Sequence, residues 1–577
     1  MKKGIITLFI FLTTALQLVF GQDSLSLNMI VKGGISHSEL KGFPHEFGRS
    51  EFINEYLGSL RNKGYLMADM VAVLTNGNAK EVVINTGQRY EWLYLSEGNI
   101  PPSILNRVGF NKKRFDRHPV NFDEILSLID KIIKENEDNG YPFASVKLDS
   151  IGQEENLFTA SLQLNQGPLI TFDTLRLVGN SKANVAYLGR YLGINPGRPF
   201  SQNTVDEIRK RLKQQNGLKI SDNPQVSFQN SEATVYVPLV DRKVNSIDGI
   251  IGLLPNETER SKMLVTGQFD LELFNVSGRG RNYGLHWQRL SQYSQNLKIK
   301  AEEPMVFGSG IDVKASFYLL KEDTTFINRD FRIDLGHQLS PLLYLNFFSK
   351  RQSGDLLSVS TEEDEVSTLP EVLDFRFNSY GAQFNLFALD DIFNPRSGLR
   401  VSFESAVGNK KILMNTAIPE DLYEDVDLTA LQYYGEFSIE NYWRWSPMLM
   451  AMIRLRAGKI AGNNVLKNDM FRLGGLRSIR GFNENFFFAN QYVYANFEPR
   501  FYFENGSYFM GFMDVAVLEQ NGLIGEREMD RPVSFGGGLS LDTGQGAFQF
   551  ILGVGKSNEQ QMGMNYAKVH FGYTGRF

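Results

Sequence analysis

The C-terminal half of the chain alternates apolar and polar residues, and this pattern limits its possible folds more than any other feature. Along Met263–Leu273 and Ala567–Phe577, every second residue is apolar or glycine, and most of the intervening residues are polar or charged. A period of two is that of a β-strand with one apolar and one polar face. A transmembrane barrel and a soluble β-sandwich both show it. From about residue 246 onward the chain is therefore predicted to be all-β.

The N-terminus has the features of a secretory signal peptide. Two lysines precede an apolar run, Ile5–Phe20, and Val19-Phe20-Gly21 is an acceptable cleavage site. We predict removal of residues 1–21, so that the mature chain begins at Gln22; a retained anchor helix is the alternative, which the short run disfavours. The rest of the sequence has no stretch of about 18 apolar residues. If the exported chain lies in a membrane, it must cross as a closed barrel.

The composition favours many long strands and excludes several kinds of site. The chain has 53 Gly, 44 Phe and 23 Tyr but only 19 Pro. Its 60 basic and 65 acidic residues are nearly balanced, which argues against a nucleic-acid partner. The sequence contains no cysteine, which excludes thiolate metal sites, a cysteine nucleophile and disulfides.

Three amphipathic helices with similar ends are predicted in the N-terminal half. They open at Ser50, Asn121 and Ser201 and end at Gly64, Gly140 and Gly217, so that their ends lie 76 and 77 residues apart. A glycine ends a helix at little cost because it adopts the left-handed conformation freely. The strands predicted after these helices are Ala68–Leu74, Ala144–Asp149 and Gln225–Phe228.

This period indicates three α+β repeats, at residues 22–88, 89–167 and 168–244, followed by a barrel at residues 245–577. Three unrelated α+β stretches that share a helix stop by chance are the alternative. The repeats show no chemical site, but an unpaired edge of a small sheet can bind an extended partner strand through main-chain hydrogen bonds. Such edges suit a receptor for unfolded chains and equally suit docking to other subunits.

The most specific motif is Arg472–Glu484 (RLGGLRSIRGFNE), in which Gly-Gly-x-x-Ser precedes Ile479-Arg480-Gly481-Phe482. It resembles the sixth-loop signature of the BamA/TamA-like family, whose members have periplasmic POTRA repeats followed by a sixteen-strand outer-membrane barrel. Three weaker likenesses are Leu169–Asn180 to the first strand of a POTRA repeat, Phe274–Gly280 to an early barrel hairpin, and Asn394–Gly398 to a barrel turn.

The resemblance implies that Arg480 folds back into the lumen and pairs with acidic residues of late strands. Tyr492–Phe503 alternates so that Glu498 should point inward, and Asp514 follows Gly511-Phe512-Met513 in the next conserved strand. An enclosed guanidinium needs carboxylate partners, because an unpaired buried charge is costly. We therefore predict a latch formed by Ile479, Arg480, Gly481, Phe482, Glu498 and Asp514; a solvated Arg480 is the alternative.

The resemblance also implies a weak seam between the first and last barrel strands, which opens laterally so that a nascent barrel pairs with the exposed edge. Glycines near the last strand would weaken packing there, although glycines are also common beside ordinary barrel aromatics. The final residue is aromatic, as in many bacterial outer-membrane barrels. The predicted seam and C-terminal signal comprise Gly572, Tyr573, Gly575 and Phe577, with Gly563 nearby.

The barrel segment accommodates about 16 tilted strands of about 10 residues each, and 14 or 18 strands fit nearly as well. Asp355–Asp374 and Glu420–Asp427 are too acidic for a lipid-facing wall and are predicted to be exposed loops. The predicted fold is thus α+β POTRA-like repeats followed by an all-β transmembrane barrel.

No enzyme motif, cofactor site or metal site is predicted. The six histidines are scattered, and Gly553-Val-Gly-Lys-Ser557 lacks the earlier glycine of a P-loop. The expected function is assembly or translocation of unfolded outer-membrane or surface proteins, with outer-membrane lipids and possible periplasmic or lipoprotein subunits as partners. The expected location is the outer membrane of a Gram-negative bacterium, with the repeats in the periplasm. A dedicated two-partner-type secretion pore and a passive pore are the alternatives.

Overall fold

The computed structural model describes residues 25–215, 217–255, 263–289, 294–322, 324–358, 368–504, 506–524 and 526–577. The predicted signal peptide, Gln22, Asn216 and the middle of the first acidic segment lie outside these residues. Within them, no helix combines the length and the apolar character needed to cross a membrane. The chain forms two compact units: the first runs through Phe172 and includes Pro196–Asn203 and Phe228–Ala233, and the second comprises the remainder.

The first repeat is a four-stranded sheet with one long helix. Its elements are β1 (Leu25–Lys32), β2 (His37–Phe43), α1 (Glu46–Asn62), β3 (Asp69–Asn76) and β4 (Ala79–Asn85), and the sheet order is β2-β1-β4-β3. The apolar face of α1, with Ile53, Leu57 and Leu60, packs in the core of this sheet. The predicted start at Ser50 is wrong: α1 begins four residues earlier, because the Nδ1 atom of His45 accepts a hydrogen bond from the Gly48 amide at 2.9 Å.

The second repeat places two helices against three strands. Its elements are β5 (Glu91–Ser96), α2 (Pro102–Val108), α3 (Phe122–Glu137), β6 (Ser145–Glu154) and β7 (Leu157–Asn165), in the sheet order β5-β7-β6. The predicted N-cap of α3 is confirmed, since Asn121 Oδ1 accepts a hydrogen bond from the Glu124 amide at 3.2 Å. Ile125, Leu128 and Ile132 bury the apolar stripe of this helix.

The third repeat follows the order of the second, with one additional short strand after its helices. Its elements are β8 (Thr171–Val178), α4 (Val185–Leu192), α5 (Gln202–Leu212), β9 (Leu218–Ile220), β10 (Gln225–Gln229) and β11 (Glu232–Asp241). Its sheet runs β10-β11-β8, with β9 paired to β11. The left-handed glycines predicted after the three long helices are confirmed: φ is +93° at Gly64, +98° at Gly140 and +82° at Gly217.

Gly140→Ala is expected to destabilise the first unit by about 1–3 kcal/mol, since a side chain there is strained at positive φ. Its Cβ would also lie 3.3 Å from both the Ile170 carbonyl oxygen and Pro199 Cβ, which is closer than an ordinary contact. Denaturant unfolding measures the loss of stability, with hydrogen exchange as the readout for the first unit. Gly58→Ala is the matched control: a Cβ at Gly58 meets nothing within 4 Å and Gly58 lies inside α1, so this change should stabilise slightly. A loss of stability at Gly58 as large as at Gly140 would contradict the argument.

The second half of the chain is a closed antiparallel barrel. The elements from residue 246 are β12 (Ser246–Pro255), β13 (Met263–Val276), β14 (Arg281–Arg289), β15 (Gln295–Glu303), β16 (Ile311–Glu322), β17 (Phe326–Ser340), β18 (Leu343–Leu356), β19 (Asp374–Leu389), β20 (Gly398–Leu413), β21 (Thr429–Arg444), β22 (Leu449–Ala461), β23 (Phe471–Leu473), β24 (Phe487–Ala489), β25 (Gln491–Glu504), β26 (Ser507–Gln520), β27 (Glu528–Asp530), β28 (Val533–Asp542), β29 (Gly546–Lys556) and β30 (Lys568–Arg576).

Sixteen of these strands build the wall in the described part of the chain. β23 and β24 pair only with each other, and the short β27 shares its neighbour β26 with β28, so it extends the same wall position. The predicted fold class and strand number are therefore confirmed, and the alternatives of 14 and 18 strands are wrong. The ends of Asp355–Asp374 extend β18 and β19, whereas Glu420–Asp427 lies between β20 and β21, as predicted for a loop.

Candidate functional site

The candidate site is built by residues 462–490, which connect β22 to β25 and which we call the lumen loop. Its two legs form the β23–β24 ribbon, in which Phe471 pairs with Ala489. The turn beyond the ribbon is tight because Gly474 and Gly475 have φ values of +112° and +84°. Ser478 Oγ closes this turn, accepting from the Gly474 amide and donating to the Gly474 carbonyl, both at 2.8 Å.

The turn brings Arg480 onto the inner face of strands β25 and β26. Its Nε and Nη2 atoms donate to the two carboxylate oxygens of Asp514 at 2.9 and 2.7 Å, and its backbone amide donates to Asp514 at 2.9 Å. Its Nη1 atom donates to Glu498. The guanidinium also stacks on Phe512, with the carbon of the group 4.0 Å from the ring centroid. The Arg480 guanidinium is therefore contacted by Asp514, Glu498 and Phe512.

The carboxylate of Glu498 has a second basic partner. Arg500, two residues along β25, donates from Nε to the other Glu498 oxygen at 2.7 Å. The cluster thus contains two guanidinium groups and two carboxylates, and its formal charge is zero. Arg480, Glu498 and Asp514 are 6%, 5% and 0% exposed. A neutral, fully hydrogen-bonded cluster is the form in which buried charges are tolerated.

The alternation of β25 explains why the acid faces the lumen. Tyr492 and Tyr494 are buried, whereas Val493 and Phe497 on the opposite face are exposed, at 45% and 43%. This is the outward apolar, inward polar pattern of a barrel strand. Glu498 is an even number of residues after Tyr492, so both side chains lie on the same face of the strand. Glu498 therefore points inward, as the sequence pattern predicts.

The apolar residues of the motif pack beneath the charges. Ile479 and Phe482 are completely buried, in a cluster that includes Tyr494 and Leu518 of the wall. Gly481, at φ +86°, lies directly against β29, where an added Cβ would be 2.8 Å from the Val554 carbonyl carbon. The structure thus brings all six predicted latch residues to one place.

The base of the lumen loop has a second set of charged contacts, which sequence reasoning missed. Lys410 of β20 is 0% exposed, forms an ion pair with Asp469, and donates to the Asn464 carbonyl at 2.6 Å. Arg472 donates to Glu322 of β16 at 2.7 Å. The loop is therefore bound to two further strands of the wall, β16 and β20.

The predicted seam residues lie in or directly after β30. Among the described residues, the ladder that closes the barrel covers two positions, Ser246–Arg576 and Ile247–Gly575. The Phe577 amide adds a bond to the Asn245 carbonyl at 3.0 Å. By contrast, the ladder between β20 and β21 runs over fourteen positions. The closing ladder is therefore short.

The inner face of the seam borders a cavity of about 1160 Å³ in the lumen. Gly572 of β30, Ser246 of β12 and Arg477 of the lumen loop line it, whereas Tyr573 points away from it and is 38% exposed. A Cβ on Gly572 would meet nothing within 4 Å, so no side chain packs against this glycine from the cavity. Within the described ranges, no three His, Asp or Glu side chains are grouped to hold a metal ion.

Comparisons with known proteins agree with this architecture. The model of the Omp85 superfamily domain matches residues 275–577, more than half of the chain. CdiB from Escherichia coli has a TM-score of 0.55 at 12% identity over 92% of this chain and 97% of its own. CdiB from Acinetobacter baumannii has a TM-score of 0.53 at 12% identity over 85% and 89%. These two likenesses show a common fold.

A BamA structure is less similar to this chain. BamA from Haemophilus ducreyi lacking POTRA domains 1-3 covers 84% of this chain and 100% of its own at 14% identity, but with a TM-score of only 0.43. No curated protein sequence matches this one significantly. The family match over the barrel confirms the predicted BamA/TamA-like kinship at the level of the superfamily: this chain belongs to the Omp85 superfamily.

Proposed function

We propose that this protein assembles other proteins into the outer membrane of a Gram-negative bacterium. Its repeats receive unfolded exported proteins in the periplasm, and its barrel inserts them through or beside its own wall. The observation that carries the proposal is the closing ladder, which covers two positions in the described part of the chain, beside interior ladders such as the fourteen positions of β20 and β21. A short ladder opens at a lower free-energy cost than a long one, since each main-chain hydrogen bond stabilises the pairing.

Opening of the seam exposes two strand edges inside the membrane. An unpaired edge in lipid is strongly unfavourable, so an incoming strand that pairs with it is stabilised. Strand pairing and burial of apolar surface then supply the driving force, and the protein needs no nucleotide, cofactor or catalytic step. Its proposed partners are unfolded outer-membrane or surface proteins, outer-membrane lipids and periplasmic or lipoprotein subunits.

The first repeat supports the receiving role. Its edge strand β3 is exposed along its whole length, from Asp69 to Asn76. Met70, Val71, Val73 and Leu74 are between 40% and 65% exposed, so the free main-chain edge is flanked by apolar side chains. An extended apolar segment of any sequence can pair with such an edge.

Depletion of the protein, followed by quantitative outer-membrane proteomics, tests the proposal. The expected result is loss of many unrelated barrel proteins, with recovery when the chain is supplied from a plasmid. Loss of one secreted or surface protein, with other barrels intact, would instead identify a dedicated secretion pore. An unchanged outer-membrane proteome would favour a passive pore and refute the assembly role.

A further inference from the structure

Gln560 lies in residues 557–567, which connect β29 to the closing strand β30. Its neighbours Glu559 and Gln561 are exposed, yet Gln560 itself is only 6% exposed. A polar side chain buried within an exposed connection requires hydrogen-bond partners to offset its desolvation. The partners of Gln560 are unusual because they join two separate parts of the barrel.

The side-chain amide of Gln560 bridges the lumen loop and the wall. Its Nε2 atom donates to the Gly481 carbonyl at 3.1 Å and to the Gly555 carbonyl of β29 at 3.0 Å. The Ser557 amide donates to the Gln560 carbonyl at 2.8 Å, and the Gln560 amide donates to Ser557 Oγ at 3.0 Å. This turn fixes the position from which the side chain reaches inward.

Glycines of β29 allow the lumen loop to approach this strand closely. A Cβ on Gly555 would lie 2.5 Å from Phe482 Cζ, and a Cβ on Gly553 would lie 3.2 Å from the Gly481 nitrogen. The loop leaves no space for a side chain at Gly555, and at Gly553 the loop closes the space together with Phe512 of β26, whose Cζ would lie 2.9 Å from the Cβ. The main chain of the loop therefore rests on the strand, and Gln560 connects that contact to the following hairpin.

The hairpin of β29 and β30 pairs with its wall neighbour β28 over a longer ladder than with β12 at the seam. β29 pairs with its wall neighbour β28 over ten positions and with β30 over eight, whereas the ladder from β30 to β12 covers two within the described residues. A force on the hairpin separates the weaker ladder first. Whatever holds the hairpin in place therefore also holds the seam closed.

We propose that Gln560 couples the lumen loop to the seam. While Gly481 is bound to Gln560, the loop resists an outward tilt of the hairpin of β29 and β30. When the loop leaves, the contacts that the described residues retain between β30 and β12 are the two-position ladder and the flanking Phe577–Asn245 and Thr574–Asp248 bonds. Gln560 is thus a positioning residue, and it deepens the proposed assembly function by supplying a control of seam opening. The biological role of this coupling rests on the proposed assembly function, but the coupling itself is measurable without any client protein.

Cross-linking across the seam tests the coupling in the full-length chain in membranes. Because the sequence contains no cysteine, Ser246→Cys with Arg576→Cys introduces a single reporter pair at a closing position. Copper phenanthroline oxidises the pair only while the two strands are adjacent. We expect Gln560→Ala to raise the ratio of open to closed seams by about three- to tenfold, the effect of losing one or two hydrogen bonds, and thereby to slow cross-linking. Gln560→Glu should slow it further, because a carboxylate would face two carbonyl oxygens.

Two controls separate coupling from general loosening. Asn558→Ala removes a bond to the Met529 carbonyl from the same connection without touching Gly481, and it should leave the rate unchanged. A second reporter pair, Ser402→Cys with Ser438→Cys in the β20–β21 ladder, should cross-link equally in all variants. Equal rates at the seam for Gln560→Ala and the parent, or equal slowing of both reporter pairs, would overturn the coupling. Depletion proteomics tests the assembly function separately, so that either idea can fail alone.

Discussion

Replacing Arg480 by methionine is expected to release the lumen loop and to lower the free energy of unfolding of the barrel by about 3–5 kcal/mol. The reason is that the change leaves Asp514, which is 0% exposed, as a buried carboxylate without its bidentate partner. Glu498 keeps Arg500 and is less affected. Methionine fills much of the volume of the arginine, so the effect reports the lost charge rather than a cavity. The temperature at which the barrel loses its resistance to detergent unfolding measures the loss.

A double variant separates stability from loop position. Arg480→Met combined with Asp514→Asn removes one charge of each sign and leaves the Arg500–Glu498 pair, so the cluster stays neutral. We expect it to recover most of the lost stability, because replacing a buried ion pair by neutral groups is often nearly neutral in free energy. The loop, however, has lost its guanidinium anchor, so assembly of client proteins should remain impaired.

Arg477 provides the matched control for Arg480. It lies three residues earlier in the same loop, but its side chain is exposed to the lumen cavity. Arg477→Met should therefore change stability by less than about 0.5 kcal/mol. If Arg480→Met behaved like Arg477→Met in both stability and client assembly, the ion pairs would be incidental and the latch proposal would be wrong.

The parts of this fold that follow a period could be predicted from the sequence. Strand alternation placed Glu498 on the inner face of β25, and the period of the glycines marked the ends of the three long helices in the N-terminal half. The start of α1 could not be predicted, because its cap is His45, which is not among the preferred N-cap residues. The strand β2 was missed for a related reason: its exposed, polar segment lacks an alternating apolar face.

The sequence pattern could not predict the contacts made by loops. Gln560 contacts Gly481, which is 79 positions earlier, and Lys410 contacts Asp469, which is 59 positions later. Neither Gln560 nor Asp469 lies in a periodic segment, so no spacing relates them to their partners. Only closure of the barrel, which brings β20, β29 and the lumen loop together, creates these contacts. A glycine-rich strand such as β29 was the available signal, since it indicates close approach of another backbone.

A disulfide across the seam is expected to abolish client assembly reversibly. Ser246 and Arg576 are direct partners in an antiparallel ladder. Such partners have Cα atoms about 4.5–5.5 Å apart, within the range of about 4.4–6.8 Å that a disulfide spans. Oxidation of Ser246→Cys with Arg576→Cys therefore adds a covalent bond to the short ladder that the described residues form between β12 and β30. Insertion of a newly exported barrel protein should fall to background in the oxidised state and return on addition of reductant.

The interior pair again supplies the control, and it gives the experiment its meaning. Ser402→Cys with Ser438→Cys places the same bond in a ladder of fourteen positions that has no reason to open, so oxidation there should leave insertion intact. Loss of insertion with both pairs would show that the barrel must deform as a whole. Full insertion with the oxidised seam would mean that clients pass through the lumen rather than between β12 and β30. In that case the short ladder would serve only to close the barrel, and the lumen loop would control passage through the lumen instead of opening of the seam.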